Sequence, residues 1–253
     1  MLERKTLSVR GGLLSYLSDS VGGKGTLLFL HGWRSEAAVW QRAMQALAEE
    51  GFAVYALDLP GFGGSQNPSH AFSVRDYAET VLAFVEKLGL GGVILIGHSF
   101  GGRIAIVFAA EHAKHVSKLV LVDAAGIRLP SIHREIIGFF AKITKPLFSL
   151  SFMQGARQML YKSLGADDYL ATPELTETFK LIINEDLQRL LPEISQETLL
   201  IWGEYDADTP ISFATAMQKQ IPHAELAIIT DAKHFSFLDA PKKFIELLTN
   251  FLT

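Results

Sequence analysis

Apolar residues along this chain follow two alternating patterns. Largely apolar runs at 26–30, 52–57, 93–96 and 119–123 have the length and composition of strands covered on both faces. Between them, apolar positions recur at helical spacing. Val39, Met44 and Leu47 do so within a helix expected at 37–50, and Val74, Tyr77, Ala78, Val81, Val85 and Leu88 do so further on. Two further short runs at 6–9 and 13–17, joined at Gly11-Gly12, predict an antiparallel hairpin ahead of them. Strands alternating with helices predict an α/β fold whose sheet is mostly parallel, with right-handed crossovers.

The alternation stops after Gly126. Residues 127–192 read as helices only. One apolar segment holds Ile136, Ile137, Phe139, Phe140, Ile143, Leu147 and Phe148 and is broken by Pro146. A second carries Met153, Met159, Leu160 and Leu164, and a third spans 173–191. Strand and helix then resume at 199–202, 210–220 and 226–229, and a closing helix uses Phe244, Leu247, Leu248 and Phe251. The expected organisation is an α/β core from 1–126 and 193–253 with a helical cap, 127–192, inserted into it. Such an insertion lies over the carboxyl ends of the strands, where open α/β sheets bind ligands. Lys142 and Lys145 make a membrane-surface role for the cap conceivable, but an apolar underside that lines a pocket is the preferred reading.

Composition narrows the function. At 253 residues and 49% hydrophobic, the chain can bury the core of one domain with an insertion. A net charge of −4 without a basic run excludes a nucleic-acid footprint. The absence of cysteine excludes disulfides, thiolate metal sites and a cysteine nucleophile. The first six residues lack a signal-peptide core, and no uncharged apolar run reaches the ~20 residues of a membrane span. A cytoplasmic protein is expected. Oligomeric state is left open.

The chemistry centres on Gly97-His98-Ser99-Phe100-Gly101, which ends an apolar run and precedes the helical pattern Ile104, Ala105, Phe108, Ala109. A sharp turn between strand and helix lifts the serine hydroxyl above the sheet edge, and side chains at 97 or 101 would collide with the neighbouring helix and strand. The bland alternative is an ordinary strand-to-helix loop. A serine nucleophile needs a base and a group that orients the base. Candidates stand in Trp202-Gly203-Glu204-Tyr205-Asp206 and in Lys233-His234-Phe235-Ser236, each just past an expected strand. Ser, Asp, His is the chain order of enzymes with this elbow. Asp208 competes with Asp206, but Thr209 as N-cap and Pro210 at the first helical position account for it. Asp123 competes too, at the end of an earlier strand. Asp58 reads as a loop anchor, His31 as a ring that holds its loop, and His98 as a side chain packed behind the serine. His112 and His115 lack a third ligand, so no metal is expected. Arg34 and Arg103 read as surface or structural residues; facing a cavity, either would favour a carboxylate on the substrate.

Taken together, His31-Gly32-Trp33, Asp58-Leu59-Pro60-Gly61-Phe62-Gly63-Gly64-Ser65, Gly97-His98-Ser99-Phe100-Gly101-Gly102, Trp202-Gly203-Glu204-Tyr205-Asp206 and His234-Phe235 resemble the α/β-hydrolase superfamily over essentially the whole chain. The closest likeness is to its capped serine esterases, C–C hydrolases and haloperoxidase-like members. The resemblance implies an eight-stranded sheet flanked by helices, with a cap. It implies Ser99 as nucleophile, His234 as base and then acid, Asp206 as orienter, and backbone N–H groups of Trp33 and Phe100 as the oxyanion hole. Phe62, Phe139, Phe140 and Phe235 are candidates for the substrate pocket. No cofactor is implied, and the expected partner is a small ester or related acyl compound. C–C bond hydrolysis or a lyase reaction ranks second, and a small-molecule receptor that reuses the pocket is the alternative of another class.

Overall fold

A computed structural model describes residues 1–128 and 173–253. Eight strands form one sheet: β1 (Glu3–Val9), β2 (Gly12–Asp19), β3 (Thr26–Leu30), β4 (Ala53–Leu57), β5 (Val93–His98), β6 (Val116–Val122), β7 (Glu197–Gly203) and β8 (Ala224–Ile229). Their order is β1-β2-β4-β3-β5-β6-β7-β8. The β1–β2 and β2–β4 pairings are antiparallel and all others parallel. The chain passes from β3 outward to β4 on one side and then to β5 on the other. That reversal opens a crevice at the carboxyl ends of β3 and β5.

The largely apolar runs reflect two cores. Successive strand side chains point to opposite faces. Leu28, Leu30, Val93 and Leu95 therefore join α2 (Val74–Lys87) and α3 (Phe100–Glu111) on one face. Leu27, Phe29, Ile94 and Ile96 join Met44 and Leu47 of α1 (Gln41–Glu49) and Phe244 and Leu248 of the closing helix on the other. Every residue of α3 from Phe100 to Ala109 is buried, which explains its nearly all-apolar sequence. A capping box at Ser73 and Asp76 starts α2.

Two helix starts differ from the sequence expectation. Residues 37–50 begin as a 3-10 turn, Ala37–Trp40, and become α-helical only at Gln41. The Ala37 N–H donates to the buried Asp58 carboxylate (2.7 Å), which fixes the turn. Three residues per turn shift the phase of the pattern. Trp40 is therefore the buried residue, stacked on Phe237 at 4.1 Å, while Val39 is only half-buried. The helix after β7, α5 (Ile211–Gln220), has Pro210 rather than Thr209 as N-cap, because Thr209 is occupied elsewhere.

Of the expected insertion, residues 127–128 and 173–192 are described; Phe139, Phe140 and the two preceding helical segments lie outside the described residues. The returning stretch includes α4 (Thr176–Asn184) and a 3-10 turn, Gln188–Glu193. Leaving and returning strands of chain are tied together. Leu187 N–H donates to Gly126 O (2.8 Å), Arg128 Nη2 to Ile183 O (2.7 Å), and the buried Arg103 Nη1 to Glu185 O (2.9 Å). The Glu185 carboxylate also pairs with Arg75 (2.9 Å). Among the described residues, no helix is long and apolar enough to cross a membrane.

Candidate active site

Ser99 sits between β5 and α3 with φ +51°, a conformation that L side chains rarely adopt. The surroundings enforce it. Ser99 N–H donates to Val122 O (3.1 Å), and its carbonyl accepts the N–H groups of Gly102 (3.0 Å), Arg103 (3.3 Å) and Ala125 (3.1 Å). A Cβ at Gly97 would lie 2.4 Å from Gly101 O, and one at Gly101 would lie 2.3 Å from Leu30 O. Glycine at both positions lets helix and strands close on the turn.

His234 lies after β8 and Asp206 after β7. His234 Nε2 is 3.0 Å from Ser99 Oγ, and Nδ1 is 3.1 and 3.0 Å from the two Asp206 oxygens. A carboxylate only accepts, so Nδ1 carries the proton and Nε2 presents its lone pair to the serine hydroxyl. Asp206 is itself held. Oδ1 accepts the N–H groups of Asp208 and Thr209, both at 2.9 Å, and Oδ2 accepts the Thr209 hydroxyl at 2.7 Å. Burial pushes the Asp206 carboxyl up, but its bonds from His234 and Thr209 outweigh that and hold it below the usual carboxylate range. Burial likewise lowers His234, yet the bond to Asp206 and its charge win, and the imidazole sits above its ordinary value.

Three further groups frame this row. The buried His98 ring donates through Nε2 to the His234 carbonyl (2.8 Å), while its Nδ1 has no partner. Burial and the nearby His234 lower it to about 3, so it is neutral. His31 donates through Nδ1 to Gly32 O (2.7 Å) and accepts the Leu59 N–H at Nε2 (2.9 Å), tying together the two loops beside the serine; burial lowers it to about 4. Asp58 accepts N–H groups from Ala37 (2.7 Å) and Gly64 (2.9 Å) and pairs with Arg4, as a loop anchor does.

Phe100 directly follows Ser99, and Trp33, in the loop after β3, packs against Phe100. Phe100 opens α3, and neither backbone N–H donates to a described residue. Their rings meet at 5.3 Å, and Trp33 also touches Phe62 (4.9 Å) and Phe179 of α4 (5.1 Å). Phe62 is buried, with its edge on His31. Phe235 is 41% exposed and lies against His98 and His234. Asp208 is exposed, Asp123 is buried without a hydrogen bond to His234, and Arg103 is spent on Glu185 O. Sequence reasoning missed Thr209 as a partner of Asp206. The signal was present, since a hydroxyl residue three positions after an acid forms a tight side-chain-to-backbone turn. The acids Asp206 and Asp208 with His234 are the one cluster of potential metal-ligating groups among the described residues, and the bonds above already account for Asp206 and His234.

The arrangement can activate a hydroxyl, shuttle one proton and hold an anion at the start of a buried helix. The Alpha/beta hydrolase family profile matches residues 27–247. A pimeloyl-(acyl-carrier protein) methyl ester esterase of Vibrio atlanticus is 31% identical, the match covering 91% of this chain and 96% of that one. A 2-hydroxy-6-oxononadienedioate/2-hydroxy-6-oxononatrienedioate hydrolase of Klebsiella pneumoniae is 28% identical, over 94% and 90%. Among solved structures, a membrane phospholipase A superposes with TM-score 0.80 and 27% identity, covering 99% of this chain and 86% of that chain. An esterase from Exiguobacterium antarcticum superposes with TM-score 0.78 and 25% identity, over 98% of each.

Proposed function

This chain belongs to the alpha/beta hydrolase family, and we propose that it is a serine hydrolase of small carboxylic esters or related acyl compounds. The observation that carries the proposal is the unbroken row Ser99 Oγ, His234 and Asp206, each link within hydrogen-bond distance. His234 takes the Ser99 proton as the oxygen attacks the ester carbonyl. The resulting oxyanion is met by the N–H groups of Phe100 and Trp33, each such donor being worth ~10²–10³ in rate. His234 then protonates the leaving alcohol. Water, deprotonated by the same ring, releases the acid from Ser99. The substrate is an ester with an aryl or medium-length acyl group, admitted beneath a cap formed from residues 127–192, with Phe62 and Phe235 at its margin.

The esterase relatives support ester cleavage, and the Klebsiella pneumoniae relative keeps C–C hydrolysis as the second reading on the same scaffold. Nothing in the site favours a receptor. The test is hydrolysis of p-nitrophenyl esters of graded acyl length by wild type and Ser99→Ala. A length optimum that vanishes in the variant is expected. Undiminished turnover by Ser99→Ala would sink the assignment, and a folded wild type inert on every ester would move it to C–C hydrolysis.

A further inference from the structure

One buried carboxylate beside the site takes no part in the chemistry above. Asp123 directly follows β6, is fully buried and has φ +45°. Its Oδ1 accepts the Gly203 N–H (2.8 Å), three residues before Asp206. Its Oδ2 accepts both the N–H (3.1 Å) and the hydroxyl (2.6 Å) of Ser236, two residues after His234. Its N–H donates to Ile201 O (2.9 Å). Its carbonyl lies 3.0 Å from the Thr209 hydroxyl, whose single proton is directed at Asp206 (2.7 Å). All of its acceptor atoms therefore face the two loops that carry the acid and the base.

Every one of these donors is neutral, so the negative charge is not needed for packing. A buried charge without a cation is costly unless something nearby uses it. The group that becomes positive during the proposed reaction is His234.

We propose that Asp123 is a positioning residue of the hydrolytic site: its carboxylate clamps the acid loop to the base loop and supports the imidazolium that forms on His234. This inference rests on the reading of Ser99, His234 and Asp206 given above. Asp123 touches no substrate and transfers no proton.

The charges around His234 agree in sign. Asp206 and Asp208 of the acid loop and Asp123 at the end of β6 all raise it, against burial, and the neutral His98 faces it from β5. Burial pushes Asp123 itself to about 7, with its three bonds to Ser236 and Gly203 opposing and the charge of Asp206 adding to the rise. An imidazolium on His234 favours its ionised form, so the two groups reinforce each other at the moment of proton transfer.

The test measures kcat and KM against pH for the preferred p-nitrophenyl ester, using Asp123→Asn, Ser236→Ala, Asp206→Asn and Ser99→Ala. Asp123→Asn should lower kcat by about 10- to 100-fold with KM nearly unchanged, as expected for misplacement of reacting groups. Its acid limb should move to lower pH by about half a unit, the direction set by loss of a nearby negative charge. Ser236→Ala keeps the charge and loosens one side of the clamp; its kcat should fall by about threefold to tenfold. Asp123→Asn with wild-type kcat, or with reduced kcat and an unmoved acid limb, overturns the proposal. Should that variant fail to fold by circular dichroism, Ser236→Ala decides, and wild-type kcat there overturns it. Loss of turnover in Ser99→Ala beside a normal Asp123→Asn fails this inference alone, whereas normal turnover in Ser99→Ala fails the underlying reading.

Discussion

His234 makes two bonds of opposite kind. In the proposed reaction Nδ1 keeps its proton and donates it in a hydrogen bond to Asp206, so that Nε2 is free to take one from Ser99. Asp206→Asn can present its amide N–H instead, which favours the wrong tautomer. Its kcat should fall by about 10⁴ with KM little changed, measured on the preferred ester. The same geometry sets a pH dependence. The imidazole sits above its ordinary 6.5, and only the neutral ring accepts a proton, so activity should fall as pH drops through a value above 6.5. A rate profile flat to strongly acid pH would contradict this role. Ser99, Asp206 and His234 were legible in the sequence because each lies in a short stretch with its own turn chemistry. Asp123 was visible there only as a rival acid. Its partners, Gly203 and Ser236, stand 80 and 113 positions away, and no local pattern encodes such pairings.

At the scale of elements, the strand-turn-helix around Ser99 is tightly specified by its glycines. Gly101 meets β3 so closely that a methyl group would fall 2.3 Å from a backbone oxygen that cannot rotate away. Gly101→Ala should therefore cost about 3 kcal/mol, the upper end of overpacking effects. In a chain of this size that corresponds to a Tm lower by about 6–12 °C, read by thermal unfolding. The parallel strands were legible because burial on both faces demands largely apolar runs. Helix starts were less so. At Ala37 and at Thr209 the deciding bond comes from a carboxylate, Asp58 in one case and Asp206 in the other. A local turn onto Asp206 outranked the capping preference at Thr209, and a tertiary bond to Asp58 outranked the helical spacing at Val39.

For the whole molecule, buried titratable groups predict how stability follows pH. His31 and His98 are held neutral, at about 4 and about 3, against 6.5 in the unfolded chain. The stability they contribute is complete above 6.5 and is lost as pH falls, because the unfolded chain binds protons the folded one refuses. Asp123 acts with the opposite sign. At about 7 folded and 3.8 unfolded, it favours the folded state at low pH and loses that contribution as pH rises through this window. The Tm of Asp123→Asn relative to wild type should therefore increase from pH 4 to pH 7, and calorimetry across that range checks it. A constant difference would mean that Asp123 is ionised throughout.

The chain leaves the sheet at Gly126 and is bonded to itself again at Leu187, with Arg103 and Arg128 holding the same junction. Closing a longer loop between two fixed points costs only ~0.6 kcal/mol per doubling of its length. On the proposed reading of 127–192 as an inserted cap, the intervening stretch is a cassette on a common socket. It can be exchanged, lengthened or rewritten while the nucleophile, base and acid keep their distances, so substrate range can diverge within such a lineage without the chemistry being invented again.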